Sequence, residues 1–190
     1  EYNGFKTCKG KSPLGGEELQ EIRRTFEAGD FREGSGNYRI MDSYEESYVQ
    51  SIIDSVGGLP RDIRVVLDCG NAVPGPLAVK VLERLGVDVI PLYCDWDNSF
   101  PNHPPDPTRQ ENMEDLGRAV LEHDAEFGIG MDGDGDRLGV VDENGRFIHP
   151  DRLMGIFVEE VLSGLPENAT EEQRTIFFDV KCSMALEEAI

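Results

Sequence analysis

No apolar run among the 190 residues approaches the roughly 20 needed to cross a bilayer, which excludes a helical membrane anchor within them. The opening residues, Glu1-Tyr2-Asn3-Gly4-Phe5-Lys6, are not a signal peptide, and the first position is not Met. The chain is therefore expected to begin inside something longer or to have been trimmed. Cysteine is sparse and patternless: Cys8, Cys69, Cys94 and Cys182 form no CxxC, and no His stands at zinc-finger spacing from them. That fits a reducing, cytoplasmic setting. Lysine is scarce too, at five of the 18 basic residues, against 38 acidic ones. The net charge of −20 repels nucleic acid and anionic membrane, so neither is expected as a partner. An acidic, lysine-poor chain also fits a high-salt cytoplasm, where counterions screen self-repulsion. There is no internal repeat and no low-complexity tract.

What remains is enough for a core. Hydrophobic residues make up 38% of the chain and charged residues 29%, and the length suits one ordinary domain or a little more. A short strand is expected over Phe5 to Lys9, then a helix with Leu19, Ile22 and Phe26 on one face. Residues 29–36 are polar and glycine-containing, as in a connection. Ser43-Tyr44-Glu45-Glu46 has capping-box form and opens a helix carrying Tyr44, Tyr48, Ile52 and Val56. Gly57-Gly58 ends it, and Pro60 follows.

From Arg64 the pattern is strand, helix, strand. The run Val65-Val66-Leu67, a helix with Leu77, Val81, Leu82 and Leu85, and the strand Val87 to Tyr93 form one βαβ unit. Cys69 sits in the apolar strand Val65-Val66-Leu67-Asp68-Cys69, where a small buried thiol is expected. Residues 95–108, rich in Pro and Asn, form a loop, and a helix from Glu111 to His123 leads to the strand Phe127 to Met131. Leu138-Gly139-Val140-Val141 and Phe147-Ile148, joined through Asn144-Gly145, predict a hairpin. A helix starts at Pro150, with Leu153, Ile156, Phe157 and Val161 on one face, and a buried strand is expected at Ile176 to Val180. The fold class is α/β, a mixed and mainly parallel sheet flanked by helices.

The informative stretch is Asp132-Gly133-Asp134-Gly135-Asp136-Arg137. Acids at i, i+2 and i+4 of an extended segment point to one side, so their oxygens can converge on one cation, and the glycines permit the curvature. Without a cation they would repel one another or take up protons. All-oxygen donors select a hard divalent ion, Mg²⁺ before Mn²⁺ or Ca²⁺. The bland alternative is an acidic solvated turn. An EF-hand would place Asp132, Asp134, Asp136 and Glu143 at positions 1, 3, 5 and 12, but it needs Gly where Arg137 stands and helices where strands are expected. A phosphatase-type DxD centre is a further rival, although Asp136 replaces its usual small hydroxyl residue. A dinucleotide site at Gly70 to Gly75 lacks the GxGxxG pattern.

Several stretches together resemble the α-D-phosphohexomutase family, bacterial phosphomannomutase/phosphoglucomutase type. They are Asp132 to Arg137, the proline-rich Phe100-Pro101-Asn102-His103-Pro104-Pro105-Asp106-Pro107 with Glu111-Asn112, Val66 to Asn71, and Phe178 to Cys182. Glu1 to Lys6 is similar to the residues that follow the family's active-site serine motif. The resemblance implies an enzyme that moves a phosphoryl group between the 6- and 1-positions of a hexose through a phosphoserine and a bisphosphosugar. It implies Mg²⁺ held by Asp132, Asp134 and Asp136, with Arg137 and Lys6 as active-site cations and Lys181 as a sugar-phosphate contact. Without the resemblance, Lys6 and Lys181 would be read as ordinary exposed lysines. For His103, His149 and Asp106, loop structure and turn capping are expected rather than chemistry.

The same resemblance implies three parts: residues 1–43 close a first, serine-bearing domain, 44–148 make the complete metal-binding domain, and 149–190 open a third. The serine motif is expected before Glu1, and the sugar-reading and phosphate-binding loops beyond Ile190. The 190 residues alone are therefore expected to lack mutase turnover. A non-catalytic metal-binding or interaction module is the alternative.

Overall fold

The computed structural model of the chain describes residues 5–59 and 62–189. Residues 1–4 of the serine-motif similarity, the helix-following Pro60, and Ile190 lie outside the described residues. Tertiary contacts divide the chain into two units, Glu1–Asp42 and Ser43–Ile190.

The first unit holds an antiparallel pair, β1 (Cys8–Lys9) and β2 (Ser12–Pro13), and helix α1 (Gly16–Ala28). The strand expected from Phe5 is shortened at its start, because its partner β2 is only two residues long, pairing with Cys8 and Lys9 before the helix begins at Gly16. Helix α1 is the one anticipated from Leu19, Ile22 and Phe26, and the left-handed Gly29 closes it. None of its residues is buried.

The second unit begins with α2 (Tyr44–Val56), followed by β3 (Arg64–Asp68), α3 (Gly75–Arg84) and β4 (Asp88–Leu92). A 3₁₀ turn, Gln110–Met113, runs into α4 (Glu114–Glu122). Then come β5 (Phe127–Met131), β6 (Leu138–Val141), β7 (Phe147–Ile148), α5 (Pro150–Ser163) and α6 (Met184–Ala189). The strands form one sheet in the order β4-β3-β5-β6-β7. β4, β3 and β5 are parallel, and only β6 runs against the rest. The mixed, mainly parallel α/β sheet is thus present, with the expected βαβ unit and hairpin.

Successive side chains of β3 point to opposite faces and so divide the core. Val66 packs with Leu116 and Val120 of α4 and with Val141, while Leu67 packs with Ala78 and Leu82 of α3 and with Ile129. Each such Val or Leu, fully buried, is worth about 1.5–3 kcal/mol. Helices cover both faces, and the loops at the carboxyl ends of β3, β4 and β5 share one edge.

Three expectations are corrected. Ser43 heads α2 but caps nothing with its hydroxyl. Its backbone is already helical, at φ −93° and ψ 0°, rather than extended as a capping residue requires. The buried strand at Ile176 to Val180 does not form: Phe177 and Val180 are 87% and 96% exposed, and no described strand pairs with the segment. An apolar run becomes a strand when neighbours supply hydrogen bonds and cover, and here none does. In α5, Ile156, Phe157 and Val161 stay exposed, and Val158 is the buried residue.

Candidate metal centre

β3 is joined to β4 through α3, while β5 lies on the other side of β3. The carboxyl ends of β3 and β5 therefore flank a topological switch point, the place where open α/β sheets bind ligands. The loop that leaves β5 at this edge is Asp132–Arg137.

Strand pairing pins the ends of that loop. Met131 stands opposite Leu138, the Asp132 N–H donates to the Arg137 carbonyl at 3.1 Å, and the Gly135 N–H donates to the Asp132 carbonyl at 3.1 Å. Asp132 is 1% exposed. Its two carboxylate oxygens accept from the Arg137 backbone N–H at 2.9 Å and from Arg137 Nε at 2.8 Å. One oxygen from each of Asp132, Asp134 and Asp136 lies within 4.8 Å of the others. Oxygen ligands at about 2.0–2.6 Å from a shared hard cation span such a separation, so the donor set and its spacing fit a divalent ion. The flanks are strands, as the sequence predicted, and exclude an EF-hand.

Arg137 joins this loop to a second one. Its Nη1 lies 3.6 Å from Asp106 and its Nε 3.9 Å from Asp136. The Asp132 hydrogen bond, followed by attraction to Asp106 and Asp136, raises the guanidinium pKa beyond its usual value. Asp106 accepts from the Thr108 hydroxyl at 2.7 Å and from its N–H at 3.3 Å, the turn-capping role expected of it. Those bonds, then Arg137, hold its carboxyl below the usual range. The proline-rich loop reaches this position by lying on a cross-strand glycine pair, Gly130 opposite Gly139. A β-carbon on Gly139 would sit 2.6 Å from the Pro107 carbonyl oxygen, so only glycine admits the loop there.

Sequence reading missed one pairing, that of Asp68 with His103. Asp68, at the end of β3, is 2% exposed and accepts from the Gly70 N–H at 2.8 Å and from His103 Nε2 at 3.0 Å. The signal was present: an acid closing the apolar run Val65-Val66-Leu67 needs a buried partner. His149 departs from its expected role, since it stands at the N-cap of α5 without a side-chain cap bond and packs edge-on against Phe147, with centroids 5.3 Å apart. Lys181 is exposed, with Nζ 3.8 Å from Asp179, and Lys6 is an exposed residue of the first unit. The three aspartates and Arg137 are thus brought together within the second unit.

Geometry alone defines a class: an α/β protein with three converging acids, able to hold a cation, at the carboxyl edge of its sheet. Residues 42–145 match the family profile described as phosphoglucomutase/phosphomannomutase, alpha/beta/alpha domain II. The chain belongs to the phosphoglucomutase/phosphomannomutase family. It is 41% identical over 186 residues to a phosphomannomutase/phosphoglucomutase of Pseudomonas aeruginosa, a match covering 98% of this chain and 38% of that protein. It is 39% identical over 188 residues to a phosphoglucomutase of Neisseria meningitidis, covering 98% and 39%. A phosphoglucomutase/phosphomannomutase family protein of Burkholderia thailandensis has a solved structure that superposes with a TM-score of 0.72 at 41% identity, over 79% of this chain and 32% of that one. The chain thus spans well under half the length of these relatives.

Proposed function

We propose that this chain carries the magnesium loop of a hexose-phosphate mutase acting on mannose or glucose phosphates through a phosphoserine and a bisphosphosugar. The observation that carries the reading is the gathering of Asp132, Asp134 and Asp136 oxygens within 4.8 Å at the switch point. Those aspartates would hold Mg²⁺, which when bound supplies charge neutralisation for phosphoryl oxygens. Arg137 is suited to the same task from the protein side. Asp132 fixes its Nε and Asp106 stands beside Nη1, while the half-exposed side chain keeps an outer edge open to an anion. Lys6 and Lys181 are assigned to phosphate contacts, as point charges on flexible stems. Arg137 and a bound metal would make a positive focus within a chain of net charge −20.

In this reading residues 1–43, 44–148 and 149–190 belong to three successive domains of a cytoplasmic enzyme, and the 190 residues alone are inactive. No described helix is long and apolar enough to cross a membrane. The test is calorimetric titration of Mg²⁺ into the full-length protein and into its Asp134→Asn variant. Loss of one carboxylate ligand should weaken binding at least tenfold, on the order of the 10–100-fold seen for disturbed metal sites, with the fold intact. Equal affinity in the two proteins would remove the assignment.

A further inference from the structure

His103 bridges two acceptors. Its Nε2 lies 3.0 Å from an Asp68 carboxylate oxygen and its Nδ1 2.9 Å from the Pro104 carbonyl oxygen. A carbonyl accepts only, and so does a carboxylate, so both bonds form together when both ring nitrogens carry protons. The Pro104 carbonyl also accepts the Asp106 N–H at 2.8 Å. One oxygen therefore ties the imidazolium to the backbone of the residue whose carboxylate faces Arg137. The loop is seated closely: a β-carbon on Gly70 would stand 3.0 Å from Pro105 Cα and 3.3 Å from His103 Cε1.

We propose that His103 is a positioning residue that, as an imidazolium clamped on Asp68, holds Asp106 against Arg137 and thereby sets the orientation of the Arg137 guanidinium beside the aspartate loop. The proposal deepens the reading of Arg137 as an active-site cation and rests on it, but its test needs no metal and no turnover.

The groups that face the imidazole are Asp68 from β3, Asp115 from α4 and the Tyr93 ring after β4, edge-on at 5.6 Å. The Asp68 hydrogen bond raises the His103 pKa above its ordinary value, against the opposing effect of burial. The clamp is accordingly complete below the ordinary imidazole pKa and opens as pH rises through the higher, folded-state value.

The test is NMR on the 190-residue chain, reading hydrogen exchange of Arg137 Nε–H relative to Arg64 Nε–H. Arg64 pairs with Asp88 at 2.6 Å and serves as the internal reference. In the wild type, relative protection of Arg137 should fall with the same midpoint as the His103 ring titration. His103→Gln should lose about fivefold of that protection and show no midpoint, Asp106→Asn should lose a similar factor, and the double variant should lose no more, as for coupled residues. A folded His103→Gln chain with unchanged Arg137 protection would overturn the proposal, and so would additive losses. If His103→Gln does not fold, the wild-type profile decides, because His103 titrating while Arg137 protection stays flat is equally fatal. None of these outcomes bears on whether Asp134→Asn binds Mg²⁺.

Discussion

Two loops at opposite ends of β6 are built on the same plan, and only one gathers three carboxylates. In Asp132–Arg137 and again in 142–146, an aspartate N–H donates to the carbonyl of the closing arginine, at 3.1 and 2.9 Å. In both, a glycine three residues on is left-handed, Gly135 at φ 74° and Gly145 at φ 70°, and donates to the aspartate carbonyl. In both, the aspartate carboxylate accepts the arginine backbone N–H, at 2.9 and 2.8 Å. The differences are few. The first loop has one more residue, three acids that converge, and a buried Asp132 whose second oxygen takes the arginine side chain. The second has Asn144 in place of a further acid, and Arg146 offers Asp142 its backbone and a through-space attraction. Turn chemistry builds the scaffold, and the spacing of acids on it makes the site.

The largest effect expected from breaking this parallel falls on the loop without chemistry. Gly145→Ala adds left-handed strain and places a β-carbon 2.6 Å from the Gly117 carbonyl oxygen, whereas in Gly135→Ala the nearest atom, Pro74 Cβ, is 3.2 Å away. Urea unfolding should show a loss of about 3 kcal/mol for Gly145→Ala and about 1 kcal/mol for Gly135→Ala. Equal losses would mean that the backbone strain common to both glycines, not packing, sets the cost. Next in size is Asp132→Ala, which strands the Arg137 Nε and backbone N–H and should cost about 2 kcal/mol, against a clearly smaller loss for the less buried Asp142→Ala. Divalent binding should vanish in the first variant and persist in the second. A second variant that also lost the metal would make the plan shared by the two loops, rather than the acids, the basis of the site.

The sequence displayed this contrast only in part. Apolar periodicity and turn residues predicted β3 to β7 and the helices between them, because those segments bury one another within the second unit. Spacing alone marked Asp132, Asp134 and Asp136, since carboxylates so close need a cation or a base nearby. The pairing of Asp68 with His103 was hidden because they are 35 positions apart, and no local pattern announces a partner at that range. Ile176 to Val180 misled for the opposite reason. A run of apolar residues records a preference for cover, and the described chain supplies none.

The finest distinction lies between the two arginines. Arg137 gives Asp132 its Nε as well as its backbone N–H and is flanked by Asp106 and Asp136, whereas Arg146 relies on its backbone for directional bonds. Lysine keeps the charge and the backbone but has no Nε–H fixed in a plane. Arg137→Lys should therefore lower the urea midpoint measurably and Arg146→Lys hardly at all. Salt divides the Arg137 loss further. Its attractions to the exposed Asp136 and half-buried Asp106 fade at about 1 M salt, where screening acts within roughly 3 Å, while the bond to the buried Asp132 carboxylate survives. Most of the difference between the two variants should persist at high salt. If it disappears there, Arg137 is held by general charge attraction and the Asp132 bond does not orient it.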